Sequence, residues 1–297
     1  MRYYKDKLFD ADTLKHLRLP FSIFLLPVFL FAISQVQIIN LWNTTIVFIV
    51  LHFFIYPASN IYNSYMDKDT GSIGGLKNPP PVTSKLYIAS IIFDGIGLTL
   101  SIIANINLFL LMIIYIAVSK AYSWDKIRLK KYAILSWVIV MIFQGAYTYL
   151  LTNMSASNNF TLDWFTTKNI YAMILSSLLI GGLYPITQIY QHDEDWNRGD
   201  KTISLILGVR GTFILTAIVF LASCGVAYCY FNQYYTLKQF IIFMICLLPV
   251  TGYFILWAIK SWKNLMLADY SHTMRMTLLS SCCMIIFFTI LYYQNHH

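Results

Sequence analysis

Two polar segments interrupt an otherwise apolar chain, and they carry the residues that could do chemistry. The first acidic segment is residues 60–81, NIYNSYMDKDTGSIGGLKNPPP, and the second acidic segment is residues 188–202, QIYQHDEDWNRGDKT. The chain has 13 acidic residues, and these two segments contain Asp67, Asp69, Asp193, Glu194, Asp195 and Asp200. Such a concentration exceeds what solubility requires and indicates a binding site.

The spacing of polar side chains in each segment indicates the kind of ligand. Asn60, Asn63 and Asp67 are spaced i, i+3, i+7, so they share one face if the preceding helix runs through them. The second segment repeats this spacing at Gln188, Gln191 and Asp195. Two helix ends that each offer amide and carboxylate oxygens are suited to hold a hard cation such as Mg²⁺ against a phosphate-bearing substrate.

An ordinary polar loop is the alternative interpretation of the first segment, because its glycines and its three consecutive prolines are common in turns. A loop would not explain Asn60 and Asn63, which are set back inside the apolar run. An amide is costly within a membrane unless something binds it. The two asparagines therefore favour a functional site.

The composition indicates the class of protein that must position these residues. Of 297 residues, 58% are apolar and 11% are charged, against roughly a quarter charged in soluble domains. A membrane-spanning helix needs about 20 mostly apolar residues. Nine runs qualify, at about residues 20–39, 42–66, 85–104, 107–123, 132–151, 169–190, 210–230, 238–259 and 275–293. We predict an all-α polytopic membrane protein in which nine transmembrane helices form a bundle around a central cavity, with residues 1–297 as a single domain.

The distribution of lysine and arginine predicts how the chain lies in the membrane. Of the 21 basic residues, only Lys168 and Lys238 lie outside the N-terminal arm and the loops after the second, fourth, sixth and eighth predicted helices, when each loop is counted with the helix ends that adjoin it. Cytoplasmic loops carry such an excess. We therefore expect a bacterial inner-membrane protein surrounded by lipids, with the N-terminus and both acidic segments in the cytoplasm and the C-terminus outside. Nucleic acid is not an expected partner, because the basic residues are dispersed between apolar runs.

Three further residues are open to two interpretations. Lys126 is the first cation after the fourth predicted helix and a candidate diphosphate contact, although it could equally meet anionic lipid headgroups. Asp94 lies inside the third predicted helix, where a carboxylate indicates either a functional group or an ion-pair partner on a neighbouring helix. His192 could act as a base or a ligand, and a hydrogen-bonding role beside the site is the simpler interpretation.

With these motifs in order, the chain resembles the UbiA-type intramembrane prenyltransferases over nearly its whole length. The first motif of that family is roughly NDxxDxxxD, and its positions are taken here by Asn63, Ser64, Asp67 and Gly71, with Asp69 between them and KNPPP following. Its YxxxK motif is matched by Tyr122 and Lys126. Its second acidic motif, DxxxD, is matched by Gln191 and Asp195, with Asp193 and Glu194 between and Gly199, Lys201 and Thr202 after. Ser64, Gly71 and Gln191 depart from the pattern, because they replace carboxylates.

The resemblance implies a reaction and a role for each residue. Mg²⁺ would be held against the diphosphate of an isoprenyl donor by Asn63, Asp67, Asp69, Asp193 and Asp195. Asp67, Asp195 and Lys126 would be the catalytic residues, and the diphosphate and the wall of the site would be contacted by Asn60, Asn63, Lys77, Tyr122, Arg128, Gln188, Gln191, His192 and Lys201. An aromatic or lipid acceptor would then capture the allylic cation.

Two other functions stay open at this point. Some relatives of this family cyclise an isoprenyl diphosphate without an acceptor, using the same ionisation step. A transporter could instead use the acidic segments to bind ions, but transport requires polar residues that continue toward the outer side. Apart from Asp94, the outer halves of the predicted helices offer few such residues.

Overall fold

The structure is a computed structural model and describes residues 7–297, so two of the cations counted for the N-terminal arm, Arg2 and Lys5, lie outside the described residues. The chain is almost entirely helical, as predicted. The helices are α1 (Ala11–Leu17), α2 (Leu26–Ser34), α3 (Leu41–Asp67), α4 (Ser84–Ala104), α5 (Ile106–Ser123), α6 (Ala133–Ser157), α7 (Thr167–Leu183), α8 (His192–Arg198), α9 (Ile203–Tyr234), α10 (Leu237–Lys263) and α11 (Tyr270–His296).

The number of membrane spans agrees with the sequence-based prediction. Among residues 7–297, eight helices are long and apolar enough to span a membrane, and the count reaches nine if the bent pair Ala11–Phe24 and Leu26–Ser34 is one span. The protein is therefore an integral membrane protein. The prediction of a single domain over residues 1–297 stays a prediction.

The prediction of one regular helix over residues 20–39 is wrong, because the segment is bent and its helix ends earlier than predicted. A 3₁₀ turn at Leu19–Phe24 precedes α2, and α2 ends at Ser34. Pro27 explains the break, because proline lacks a backbone N–H and is tolerated only in the first turn of a helix. Because of this bend, residues 19–24 form a 3₁₀ turn and are not part of α2.

The start of the seventh predicted span also differs, and a glycine explains the difference. The prediction begins at residue 210, whereas α9 begins at Ile203. Gly208 interrupts α9 with a φ of 65° and a ψ of 176°, a conformation that costs a non-glycine residue free energy. The apolar run after Gly208 is the straight part of the span, and residues 203–207 form a separate helical turn.

Two spanning helices contain a π-helical segment, at Val50–Ile55 in α3 and at Met141–Tyr147 in α6. In α3, Pro57 follows directly in the next turn, and the wider π turn accommodates its missing N–H. In α6, Gly145 allows close contact with α7, because a Cβ there would lie 2.5 Å from the Cα of Ser177. The first of these segments sets the direction of the helix turns that carry Asn60, Asn63 and Asp67.

The chain divides into two compact units, each with its own core. The first unit comprises the residues up to Ser22 and Thr45–Leu129, and the second comprises Ile23–Thr44 and Lys130–His297. In the first unit, Leu17, Ile61, Leu86 and Ala89 form a buried apolar cluster. In the second, Phe31 packs against the rings of Tyr149, Tyr230 and Phe288. The first acidic segment belongs to the first unit, and the second acidic segment belongs to the second unit.

Candidate functional site

The first acidic segment begins on the last turns of α3, as the spacing of Asn60, Asn63 and Asp67 requires. The helix runs to Asp67 and ends at Lys68, whose φ of 53° turns the chain away. Ser123, at the end of α5, donates a hydrogen bond of 2.7 Å to Asn63 Oδ1. Asn63 is therefore held by a neighbouring helix, and its orientation is fixed before any ligand binds.

Arg128 is the cation that the structure brings to Asp67. The Asp67 side chain is buried at 3% exposure, and its Oδ1 lies 3.3 Å from Arg128 Nη2. Arg128 is itself 8% exposed, and its Nη1 donates to Asp125 Oδ1 at 3.1 Å. A buried carboxylate beside a buried guanidinium is a charged pair that water screens little. Sequence reasoning gave Arg128 only a supporting role.

Lys126, the cation preferred from sequence, occupies a different environment. Its side chain is exposed, and its Nζ lies 5.7 Å from the ring centre of Trp124, which is also exposed. Tyr122, four residues earlier, is half-buried at the end of α5. Lys126 is thus accessible to a ligand or to lipid headgroups, and its role in the reaction stays a prediction.

The rest of the first acidic segment folds into a compact loop. Ile73 and Leu76 exchange two backbone hydrogen bonds of 2.9 and 2.8 Å across Gly74 and Gly75. Gly75 has a φ of 84°, which only glycine adopts without strain, so the turn requires it. Lys77 is exposed just after this turn, and Asp69 is half-buried before it.

Arg18 contacts this loop, and sequence reasoning counted it only as a loop charge. Its Nη1 donates to the backbone oxygen of Gly74 at 3.0 Å, and its Nη2 donates to the backbone oxygen of Asn60 at 2.7 Å. Ser64 Oγ lies 3.5 Å from the same Nη2, so the residue that replaces a carboxylate of the family motif faces Arg18. No local pattern could have revealed these contacts, because they join residues 42 or more positions apart.

The second acidic segment is not one continuous α-helix, so the premise behind its predicted spacing is wrong. Residues Tyr184–Gln191 form a 3₁₀ helix with Pro185 in its first turn, and α8 then starts at His192. A 3₁₀ helix has three residues per turn, so Gln188 and Gln191 are still superimposed along it. Asp195 follows in the first turn of α8, where a helix N-terminus favours negative charge.

Residues 202–204 hold this segment in place. Gln188 is buried, and its Oε1 accepts from the backbone N–H of Ser204 at 3.4 Å. His192 Nε2 and Ser204 Oγ are 2.7 Å apart, and Asp195 Oδ2 accepts from Thr202 Oγ1 at 3.0 Å. His192 is therefore hydrogen-bonded within the segment, and its role beside the site stays a prediction. Gln191 and Glu194 are half-buried, whereas Asp193 and Lys201 are exposed.

Asp200 and Lys130 form a second buried contact that sequence reasoning missed. Asp200 is 1% exposed, and its Oδ2 lies 3.7 Å from Lys130 Nζ. Its backbone N–H donates to the oxygen of Asp195 at 2.9 Å. Beside it, Lys201 and Thr202 pair with Tyr132 and Ala133 in a short parallel bridge. This bridge fixes the loop that follows α8.

Each acidic segment offers donor atoms that suit Mg²⁺. Among residues 7–297, no three His, Cys, Asp or Glu side chains are grouped closely enough to hold a metal ion on their own. Mg²⁺ is commonly bound by one or two carboxylates together with substrate phosphates and water, and not by a cage made of protein alone. Asn63, Asp67 and Asp69 in one unit, and Asp193 and Asp195 in the other, offer oxygen ligands of this kind.

Asp94 has a partner on a neighbouring helix, which was one of its two interpretations. Its Oδ2 lies 2.7 Å from Lys120 Nζ on α5, and this ammonium also lies 4.2 Å from the ring centre of Tyr62. Both side chains are mostly buried. The pair places two opposite charges within the membrane, where each alone would be costly.

We expect Asp94→Ala to lower the apparent unfolding temperature in detergent, because it leaves the Lys120 ammonium buried without its carboxylate. Breaking a buried ion pair from one side costs about 3–5 kcal/mol, whereas replacing both partners is often nearly neutral. The double variant Asp94→Ala/Lys120→Met should therefore unfold closer to the wild-type temperature, as measured by thermal denaturation of the purified protein. Additive losses in the double variant would contradict a structural ion pair.

The model of the UbiA prenyltransferase family matches residues 24–281. A solved UbiA homolog from Archaeoglobus fulgidus, bound to DMAPP and Mg²⁺, is similar at 15% identity and a TM-score of 0.65, covering 94% of this chain and 100% of that one. No curated protein matches the chain.

Two further solved structures share the fold. An apo UbiA homolog from Aeropyrum pernix K1 is similar at 16% identity and a TM-score of 0.67, covering 90% of this chain and 98% of that one. A digeranylgeranylglyceryl phosphate synthase is similar at 16% identity and a TM-score of 0.58, covering 96% and 97%. At such identities these structures establish a common fold.

Proposed function

This chain belongs to the UbiA prenyltransferase family, and we propose that it transfers an isoprenyl group, within the membrane and with Mg²⁺, from an isoprenyl diphosphate to an aromatic or lipid acceptor. One observation carries the proposal. The buried Asp67 carboxylate and the buried Arg128 guanidinium meet at a helix end, beside the oriented amide of Asn63. This arrangement presents both oxygen ligands for a metal and a fixed positive charge for a diphosphate.

In the proposed reaction, Asn63, Asp67 and Asp69 would bind Mg²⁺ at the first acidic segment, and Asp193 and Asp195 would bind Mg²⁺ at the second. The metal would neutralise the diphosphate as a leaving group. The A. fulgidus homolog, which holds DMAPP and Mg²⁺ together, supports this pairing of ligands. Asn60, Gln188, Gln191 and His192 would orient the diphosphate. The amide of Gln191 makes the ligand set less negative than the family motif, as does Ser64.

The cations of the chain would stabilise the developing negative charge. Arg128 is fixed by its buried contact with Asp67 and would donate to the diphosphate with little reorganisation. The exposed cations Lys126, Lys77 and Lys201 would close over the diphosphate, with Tyr122 on the wall of the site. The allylic carbon–oxygen bond then breaks, its electron pair leaves with the diphosphate, and the acceptor bonds to the allylic cation and loses a proton.

We propose that both acidic segments face the cytoplasm of a bacterial cell. The loops on the same side of the membrane carry the excess of lysine and arginine, which is typical of cytoplasmic loops. A cysteine placed at exposed Lys77 should then react with a membrane-permeant maleimide in whole cells and resist an impermeant one. A cysteine at Lys168 should react with both. Labelling of the first position by the impermeant reagent would reverse the orientation.

The experiment that tests the function is an incubation of purified protein in detergent with Mg²⁺ and isoprenyl diphosphates of several lengths. The reactions are run with and without a membrane-lipid extract, and diphosphate release and lipid products are followed by mass spectrometry. Release that requires the extract, with a product heavier by one isoprenyl group, is the expected result. Release without the extract would indicate cyclisation or hydrolysis, and no release with any donor would contradict the proposal.

A further inference from the structure

We propose that Arg18 is a positioning residue, which holds the first acidic segment against the end of α3 so that Asp67 and Asp69 are in place before substrate binds. The inference deepens the proposed function and rests on it, because it assigns those carboxylates to the diphosphate site. Arg18 itself would touch neither the metal nor the substrate.

One guanidinium connects two places in the chain that flank the acidic residues. Its bond to the oxygen of Asn60 lies before Asp67 and Asp69, and its bond to the oxygen of Gly74 lies after them. The side chain is 7% exposed, so little water competes for these bonds. These two hydrogen bonds restrain the backbone between Asn60 and Gly74. Less conformational entropy of this segment is then lost when a ligand binds.

The backbone of Arg18 has a left-handed conformation at the end of α1. Arg18 ends α1 with a φ of 49°, which is uncommon for a residue other than glycine and costs free energy unless other contacts offset it. The left-handed turn ends the short helix and directs the chain into the 3₁₀ turn at Leu19–Phe24. The buried hydrogen bonds of the guanidinium offset this cost.

Other residues between positions 10 and 21 contact the same loop at Gly74, Pro80 and Lys85. The ring of Phe21 lies under the turn, since a Cβ at Gly74 would be 2.7 Å from its Cζ. His16 is buried, and its Nε2 lies 2.9 Å from the oxygen of Pro80. Where the loop enters α4, Lys85 Nζ donates to Asp10 Oδ2 at 2.8 Å, and this hydrogen bond lowers the pKa of the Asp10 carboxyl well below its ordinary value.

Lysine cannot reproduce what arginine does here. The planar guanidinium presents several donors in a rigid fork, whereas an ammonium is a compact charge with stronger hydration. A lysine at position 18 would keep the charge but could not reach the oxygens of Asn60 and Gly74 in the same geometry. Arg18→Lys therefore separates positioning from electrostatics.

The test compares Arg18→Lys with Lys15→Gln, a control on the same short helix whose side chain is 60% exposed. Hydrogen–deuterium exchange of backbone amides 68–78 is measured in detergent without substrate, and the Mg²⁺ dependence of turnover is measured separately. In Arg18→Lys we expect exchange of these amides, and the Mg²⁺ concentration for half-maximal rate, each to rise about tenfold, while kcat at saturating Mg²⁺ falls less than about threefold. Lys15→Gln should match the wild type in all three.

A second variant keeps the inference testable if Arg18→Lys does not fold. Gly74→Ala forces a methyl group against Phe21 and should increase exchange of the same amides, and Gly74→Ala/Phe21→Leu should restore much of the protection, because the ring carbon that clashes is gone. Unchanged exchange and unchanged Mg²⁺ dependence in both Arg18→Lys and Gly74→Ala would overturn the inference. The exchange measurement needs no activity, so it is decided independently of whether the chain transfers isoprenyl groups.

Discussion

Asp67→Asn is expected to lower kcat/KM by about a hundredfold or more, because it removes a metal-binding carboxylate where negative charge develops on the leaving diphosphate. Asparagine keeps the shape of the side chain and can still accept from Arg128, which matters because Asp67 is 3% exposed. Because Asp67 is buried, Asp67→Ala would combine a catalytic loss with a folding defect. Asp195→Asn should lower kcat/KM to a similar extent.

The matched control for Asp67 is Asp125→Asn, since both carboxylates contact the guanidinium of Arg128. Asp125 is 64% exposed and lies 3.1 Å from Nη1, whereas Asp67 lies 3.3 Å from Nη2. We expect Asp125→Asn to change turnover less than about threefold, because an exposed pair contributes little. For the second acidic segment the control is Asp163→Asn, at an exposed position in the 3₁₀ turn Leu162–Trp164. Near wild-type turnover of both Asp67→Asn and Asp195→Asn, in protein that elutes as a single species, would remove these residues from the active site.

Chelation should abolish turnover entirely. Among residues 7–297 no three His, Cys, Asp or Glu side chains are grouped closely enough to hold a metal ion, so we expect the ion to depend on the diphosphate and to exchange with solution. Incubation with EDTA should remove diphosphate release to background, and added Mg²⁺ should restore it. Fluorescence or circular dichroism of the chelated protein should stay unchanged, because the fold is held by helix packing. Full activity in EDTA would show that charge neutralisation comes from Arg128 and the lysines alone.

The substitution and chelation experiments together locate the metal. If Asp67→Asn raises the Mg²⁺ concentration needed for turnover and Asp125→Asn does not, the metal is bound at the first acidic segment. If chelation abolishes turnover but Asp67→Asn has no effect, the metal is held by the second segment. The chain's departures from the family motif, Ser64, Gly71 and Gln191, make this comparison useful, because they reduce the number of available carboxylates.

Sequence reasoning identified the spans well where a local rule applied. A run of about 20 apolar residues has one stable arrangement in a bilayer, since a helix satisfies its own backbone hydrogen bonds. The same reasoning failed at residues 20–39 and at the start of α9, where Pro27 and Gly208 change the backbone within an apolar run. Hydropathy does not record such changes.

The sequence by itself determined that the chain is an all-helical membrane protein, where its two acidic segments lie, and which family it resembles, because each of these depends on composition or on short spacing. Tertiary structure alone decided which charges meet. Arg128 and not Lys126 contacts Asp67, across 61 residues, and Arg18 contacts the loop that follows α3. Asp94 finds Lys120, and Asp200 finds Lys130. The physical reason is that a buried charge is stabilised by whichever partner the packing of helices brings within a few ångströms, and distance along the chain carries no information about that partner.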